Sequence, residues 1–188
     1  MSTQAAGPGS ASPALEAPAA APPAATGTTP KRPRRLSRFV CGCVATLFGL
    51  GYWPLAPGTL ASLVTVALAW VAVEAFGPWV VPAAAIALTA LGIGAAGREC
   101  IERSQDDPSV VVVDEAAGML LALAFLPGAW EIWLSAFLLF RILDITKPWP
   151  ADAAESLPGG GGVMADDLVC GLYTNLLLQI AVAWLPSP

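Results

Sequence analysis

The sequence predicts an all-α fold: a compact helical bundle, embedded in a membrane or lying against one, built from short and broken hydrophobic helices. Three observations predict it. Hydrophobic residues make up 56% of the 188 and charged residues only 12%, where soluble domains carry roughly 25% charge. Mean hydropathy is +0.66, so much of the outer surface must be apolar. The apolar residues also come in long runs punctuated by Gly-Pro and Pro-Gly pairs, which is the pattern of helices stopped by turns.

The first 30 residues are almost entirely Ala, Pro, Gly, Ser and Thr, with Glu16 the only charge. Such a stretch buries too little apolar surface to offset the entropy of ordering, so it predicts a disordered tail. It does not read as a signal peptide, because its basic residues follow the low-complexity segment with no cleavable apolar region before them. KRPRRLSR, at 31–38, holds five of the nine basic residues. Beside a hydrophobic domain it predicts a juxtamembrane anchor on an anionic leaflet rather than a nucleic-acid site. The expected division is a tail with basic segment at 1–35 and a helical domain at 36–188.

FGLGYWPLAPGTLAS, at 48–62, predicts a rigid turn leading into a helix capped by Thr59. Residues 59–76 and 79–96 are apolar runs of 18, about 27 Å as helices, against a bilayer core of about 30 Å. A polar stretch at 97–109 follows. The block at 116–140 fits either one kinked span or a helical hairpin. Pro127-Gly128 followed by Glu131 is poor material for a lipid-facing helix centre, so the hairpin is expected. LPGGGG predicts a loop, and 168–185 a last apolar helix. With the basic block inside, this order carries 97–115, 141–164, Asp166-Asp167 and the loop before Thr59 to one cytoplasmic face.

The charges at that face suggest chemistry. VVVDEAAGM carries Asp114 and Glu115, FRILDITKPWP carries Arg141, Asp144 and Lys147, and GGVMADDLVCG carries Asp166 and Asp167. Carboxylates gathered at this density suit a hard divalent cation such as Mg²⁺ and would otherwise repel one another. An aspartate before an apolar helix is also an ordinary N-cap. Paired acids at two sites, and Asp144 near a helix C-terminus where the dipole disfavours it, argue for more than capping. Arg141 and Asp144 share a helical face, which allows either a surface ion pair or an Asp144 turned to metal with Arg141 and Lys147 meeting phosphate. Amides near Gly58 and Thr59 offer a helix N-terminus to an anion. Glu74, Glu99, Glu102, Asp106, Asp107 and Asp152 read as solvated surface. The four cysteines form no CxxC and read as free thiols.

Elimination narrows the reaction. The chain has no histidine, which excludes phosphohistidine chemistry and a histidine base. It also lacks a C-x5-R signature and the D-x-D of aspartyl-nucleophile phosphatases. Direct attack by a metal-activated water remains.

GLGYWPLAPGTLAS, VVVDEAAGM, FRILDITKPWP and the GGGG–MADDLVCG stretch, in this order, resemble the signatures of phosphatidylglycerophosphatase A, over residues 46–180. The resemblance implies an all-helical, Mg²⁺-dependent lipid phosphatase of the bacterial inner membrane. It would remove the terminal phosphate of phosphatidylglycerophosphate on the cytoplasmic side to leave phosphatidylglycerol. The family's acidic pairs and R-x-x-D-x-x-K-P stretch fall on Asp114, Glu115, Arg141, Asp144, Lys147, Asp166 and Asp167. All five carboxylates are then expected metal ligands. Arg141, Lys147, Gly58 and Thr59 would meet the phosphate, and Asp167 or Glu115 would take the proton from water. Two alternatives stay open: a non-catalytic ion-binding or transport protein of the membrane, and a helical phosphatase for another phosphomonoester.

Overall fold

The computed structural model describes residues 35–184. The predicted tail and Lys31, Arg32 and Arg34 lie outside the described residues. Seven α-helices follow one another: α1 (Arg35–Ala45), α2 (Pro57–Phe76), α3 (Val80–Arg103), α4 (Val113–Leu123), α5 (Trp130–Thr146), α6 (Ala151–Glu155) and α7 (Gly160–Trp184). A 3-10 turn at Leu50–Tyr52 stands between α1 and α2. There is no strand among the described residues.

The short α4 is the centre of the bundle. Nine of its eleven residues are buried, and α2, α3, α5 and α7 pack around it. A helix apolar on every face belongs inside rather than at a surface. Met119 and Leu123 of α4 meet Trp133 and Phe140 of α5 and Cys170 of α7 in one core cluster. On the other side Val113 and Ala117 pack with Ala95 and Ala96 of α3 and Met164 of α7. The last turn of α4 leaves carbonyls without helical partners. The Asn175 amide on α7 reaches two of them, Ala122 O at 3.0 Å and Ala124 O at 2.7 Å. Asn175→Leu is expected to cost about 1–2 kcal/mol through those lost bonds, read as a lower thermal midpoint in detergent micelles.

α2, α3 and α7 are long and apolar enough to cross a membrane. Only 22–28% of their most apolar windows is buried within the protein. Leu68, Phe76, Ile86, Leu91, Leu177 and Ile180 point outward, an apolar belt that water would not tolerate at this density. α4 and α5 form the expected hairpin. Its tip reaches the α2–α3 turn, where Trp79 and Phe125 meet edge to face at 5.3 Å.

Several boundaries differ from expectation. α2 starts at Pro57 with Ala56 as N-cap, so Thr59 lies inside the first turn and does not cap. Proline at the first helical position is pre-set for it and needs no donor. α7 begins at Gly160, inside the glycine run read as a loop. A Cβ on Gly160 would strike the α3 backbone at Ile93 and Gly97. Close helix approach therefore outweighs the roughly 1 kcal/mol that each glycine costs a helix. α3 runs on to Arg103, which turns Glu99 inward: it is 7% exposed rather than solvated, and Arg103 Nε donates to it at 2.8 Å. Glu102 pairs with Arg38 of α1 at 2.8 Å. All four cysteines are free.

Candidate active site

Asp114 and Glu115 occupy the first turn of α4. The N-cap there is Val112, with no side-chain cap bond, so simple capping does not explain Asp114. Its Oδ1 instead accepts from the Glu115 N–H at 3.0 Å. Asp167 lies in the second turn of α7, buried. One carboxylate oxygen from each of Asp114, Glu115 and Asp167 falls within 4.8 Å of the others. Residues more than fifty positions apart thus form one acidic centre.

Glycines make the meeting possible. A Cβ on Gly171 would overlap the carbonyl of Gly118, and one on Gly118 would lie 2.6 Å from the Asp167 carbonyl. α4 and α7 therefore cross backbone to backbone, as small residues allow in membrane helices. Each glycine sits four residues, about one helical turn, after its aspartate. The repeated D-x-x-x-G, in DEAAG and DLVCG, is the signal that sequence reasoning passed over. Gly58 stands on the third side, where a Cβ would overlap the Glu115 carboxyl, a side-chain end rather than a backbone. Thr59, in the same turn, makes no side-chain hydrogen bond among the described residues.

The cations stand beside this centre. α5 ends at Thr146 and Lys147 caps it in the left-handed conformation (φ 43°) ahead of Pro148. Lys147 Nζ reaches Asp166 Oδ2 at 2.7 Å and Glu155 Oε2 at 2.9 Å. Arg141 Nη1 lies 2.7 Å from Asp144 Oδ2. Asp166 and Asp144, expected as ligands alongside the other three, each also pair with a basic side chain. Sequence reasoning missed Glu155, which no motif marks and only the α6–α7 corner brings to Lys147.

Electrostatics follow from burial. Desolvation, with Glu115 and then Asp167 adding their charge, raises the Asp114 carboxyl well above the ordinary range. Burial also raises Glu115, with Asp144 adding to the shift, while its bond to Asp114 and the charge of Arg141 oppose it. For Lys147 burial disfavours the ammonium, yet its bonds to Asp166 and Glu155 outweigh this and raise it. Glu115 Oε2, Asp166 Oδ1, Asp167 Oδ1 and both Nε and Nη1 of Arg141 are buried without a hydrogen-bond partner, the Nη1 contact with Asp144 being an ion pair that lacks hydrogen-bond geometry. Orphaned polar atoms in one place call for a missing partner. Oxygen donors alone, in an acidic centre, fit a hard divalent cation. A cleft of about 380 Å³, lined in part by Asp106, Asp107, Asp114, Glu155 and Asp166, opens beside the centre.

The comparisons with known proteins agree with this picture. A family model described as Phosphatidylglycerophosphatase A matches residues 43–182. The chain is 33% identical over 145 residues to phosphatidylglycerophosphatase A of Escherichia coli, covering 75% of this chain and 83% of that one. To phosphatidylglycerophosphatase A of Haemophilus influenzae it is 30% identical over 144 residues, covering 76% and 88%. A protein of Bacteroides thetaiotaomicron, provisionally named a phosphatidylinositol-3-phosphatase, is 37% identical over 153 residues, covering 76% and 94%. No solved structure matches. With its acidic centre, its two basic partners and this likeness along most of its length, the chain belongs to the phosphatidylglycerophosphatase A family, a family of phosphatases.

Proposed function

We propose that the chain is a Mg²⁺-dependent phosphatase that hydrolyses the terminal phosphate of phosphatidylglycerophosphate at the cytoplasmic surface of a bacterial inner membrane. The single observation that carries this reading is the convergence of Asp114, Glu115 and Asp167 within 4.8 Å, with Arg141 and Lys147 alongside, in a chain of this family. Asp114, Glu115 and Asp167 would hold the cation. When bound, it supplies charge neutralisation for the carboxylates and Lewis-acid polarisation of a phosphoryl oxygen.

The chain's own residues do the rest. Arg141 presents its unpartnered Nε to the phosphate, and the charge of Asp144 holds the guanidinium beside the centre. Lys147, steadied by Asp166 and Glu155, adds a point charge to the equatorial oxygens. Glu115 Oε2, free of any hydrogen bond, accepts the proton of the attacking water. The phosphorus–oxygen ester bond then breaks, and the leaving glycerol oxygen is protonated from solvent in the cleft.

Sidedness follows from charge. Arg35, Arg38, Arg98, Arg103, Arg141 and Lys147, all the basic residues among those described, belong to segments at the end of the bundle that holds the carboxylates. Glu74 and Glu131 mark the other end. Under the positive-inside tendency the carboxylate end is cytoplasmic. A transport role is disfavoured because the charges gather at helix ends rather than along a midplane path.

The relative named for a phosphoinositide gives a second substrate a specific basis. Phosphate release should be measured on purified protein with phosphatidylglycerophosphate and with phosphatidylinositol 3-phosphate, each with Mg²⁺ or EDTA. The expected result is at least about tenfold higher kcat/KM on phosphatidylglycerophosphate, abolished by EDTA and restored by Mg²⁺. The reverse preference would assign the other lipid, and full activity in EDTA would remove the cation. Lys147→Gln is expected to lower kcat/KM about 100-fold through lost charge on the transferring phosphate. Unaltered kinetics in that variant would take Lys147 out of the site.

A further inference from the structure

An apolar groove of about 300 Å³ lies between α2, α3, α4 and the 47–50 corner. Buried Ala69, Ala116 and Leu120 form its floor, and exposed Leu68 stands at its rim. We infer that this groove receives one acyl chain of the lipid whose phosphate sits at the carboxylates; the inference rests on the lipid phosphatase reading above.

Two helices lead from the acidic centre into the groove. On α2, Gly58, Thr65, Ala69 and Ala72 recur at spacings of seven, four and three, so they share one helical face. Gly58 touches Glu115, and the other three line the groove. The stripe from Gly58 to Ala72 is about 21 Å long, comparable to a lipid tail descending from the surface. On α4, Ala116 directly follows Glu115, and Leu120 lies one turn further along the same face. A phosphate at the carboxylates therefore places the tail of its own lipid over this slot.

The slot also has the right environment. α2 and α3 are span-length helices, and within a bilayer an open apolar slot fills with hydrocarbon. Continuity with the charged centre makes the substrate's own tail the occupant. Chain contacts of this kind contribute binding energy remote from the reacting phosphorus.

The test uses the full chain in phosphatidylcholine nanodiscs. Two photoactivatable lipids, phosphatidylglycerophosphate and phosphatidylcholine, carry the same diazirine-bearing tail. The expected result is labelling of groove peptides at 64–72 and 116–120 at least about fivefold stronger from the phosphatidylglycerophosphate probe. Equal labelling by the two probes would overturn the groove, since annular lipid alone would then explain it. As a second reading, Ala72→Phe fills the slot. It should lower the ratio of kcat/KM for dioleoyl over dihexanoyl substrate about tenfold, the worth of about two methylenes kept from burial. Ala90→Phe, exposed on α3 and on the face turned away from Ala84 and Leu88, should leave that ratio unchanged. An unchanged ratio in Ala72→Phe would also overturn the groove. Labelling is read without turnover, so failure to hydrolyse either chain length would count against the proposed substrate and not against the groove.

Discussion

Asp167→Asn should lower kcat by about 100- to 1,000-fold while the protein remains folded. The carboxylate is buried at the close approach of α4 and α7 and shares one acidic centre with Asp114 and Glu115. Replacing one of three charged donors by a neutral amide weakens the hold on a divalent cation. Transition-state charge stabilisation falls with it, and a single such contribution is worth about 10²–10³ in rate. Stability should move the other way. Without cation, three carboxylates this close repel one another in a site that desolvates them. An isosteric amide relieves that repulsion, so the cation-free variant should unfold at the same temperature as the wild type or a higher one. The Mg²⁺-dependent rise in Tm expected of the wild type should be lost. A variant retaining a tenth of wild-type turnover would remove Asp167 from the centre.

Gly118→Val and Gly171→Val should each lose at least about 100-fold in activity and be destabilised. Unlike Asp167→Asn, they touch no charged group. A Cβ at either position meets the backbone of the facing helix, which cannot rotate away as a side chain can. Overpacking of this kind costs about 1–3 kcal/mol. The helices must separate, and a shift of about 1 Å in a catalytic group can cost 100-fold. Gly94→Ala supplies the contrast, because nothing lies within 4 Å of the Cβ it would gain. It should be neutral or slightly stabilising through helix propensity. Wild-type activity in Gly171→Val would show that the crossing does not set the carboxylate geometry.

The hairpin was legible because Pro127-Gly128 with Glu131 is costly inside a lipid-facing helix whatever surrounds it. The end of α5 was legible for a similar local reason, since Pro148 and Pro150 cannot continue a helix. The start of α7 was not. Four glycines read as a loop on propensity; Gly159 is one, but Gly160–Gly162 are helical, and the approach of α3 at Gly97 leaves no space for a Cβ at Gly160. Glu99 was misplaced for a related reason. Its exposure depends on α3 running past Ala96 and on Gly42 of α1 lying over it, neither of which a local pattern carries.

By itself the sequence determined that this chain is helical, apolar on its outside, and armed with seven charged residues in three motifs. Those properties come from composition, breaker residues and helical period, which act over a few neighbours along the chain. Only the tertiary structure decided which acids meet. Asp114, Glu115 and Asp167 each bring one oxygen within 4.8 Å of the others, while Asp144 and Asp166 also pair with Arg141 and Lys147. That sorting depends on where two helix backbones touch, at Gly118 and Gly171. A backbone contact between helices is set by the absence of side chains on both partners at once, and so belongs to the pair rather than to either segment.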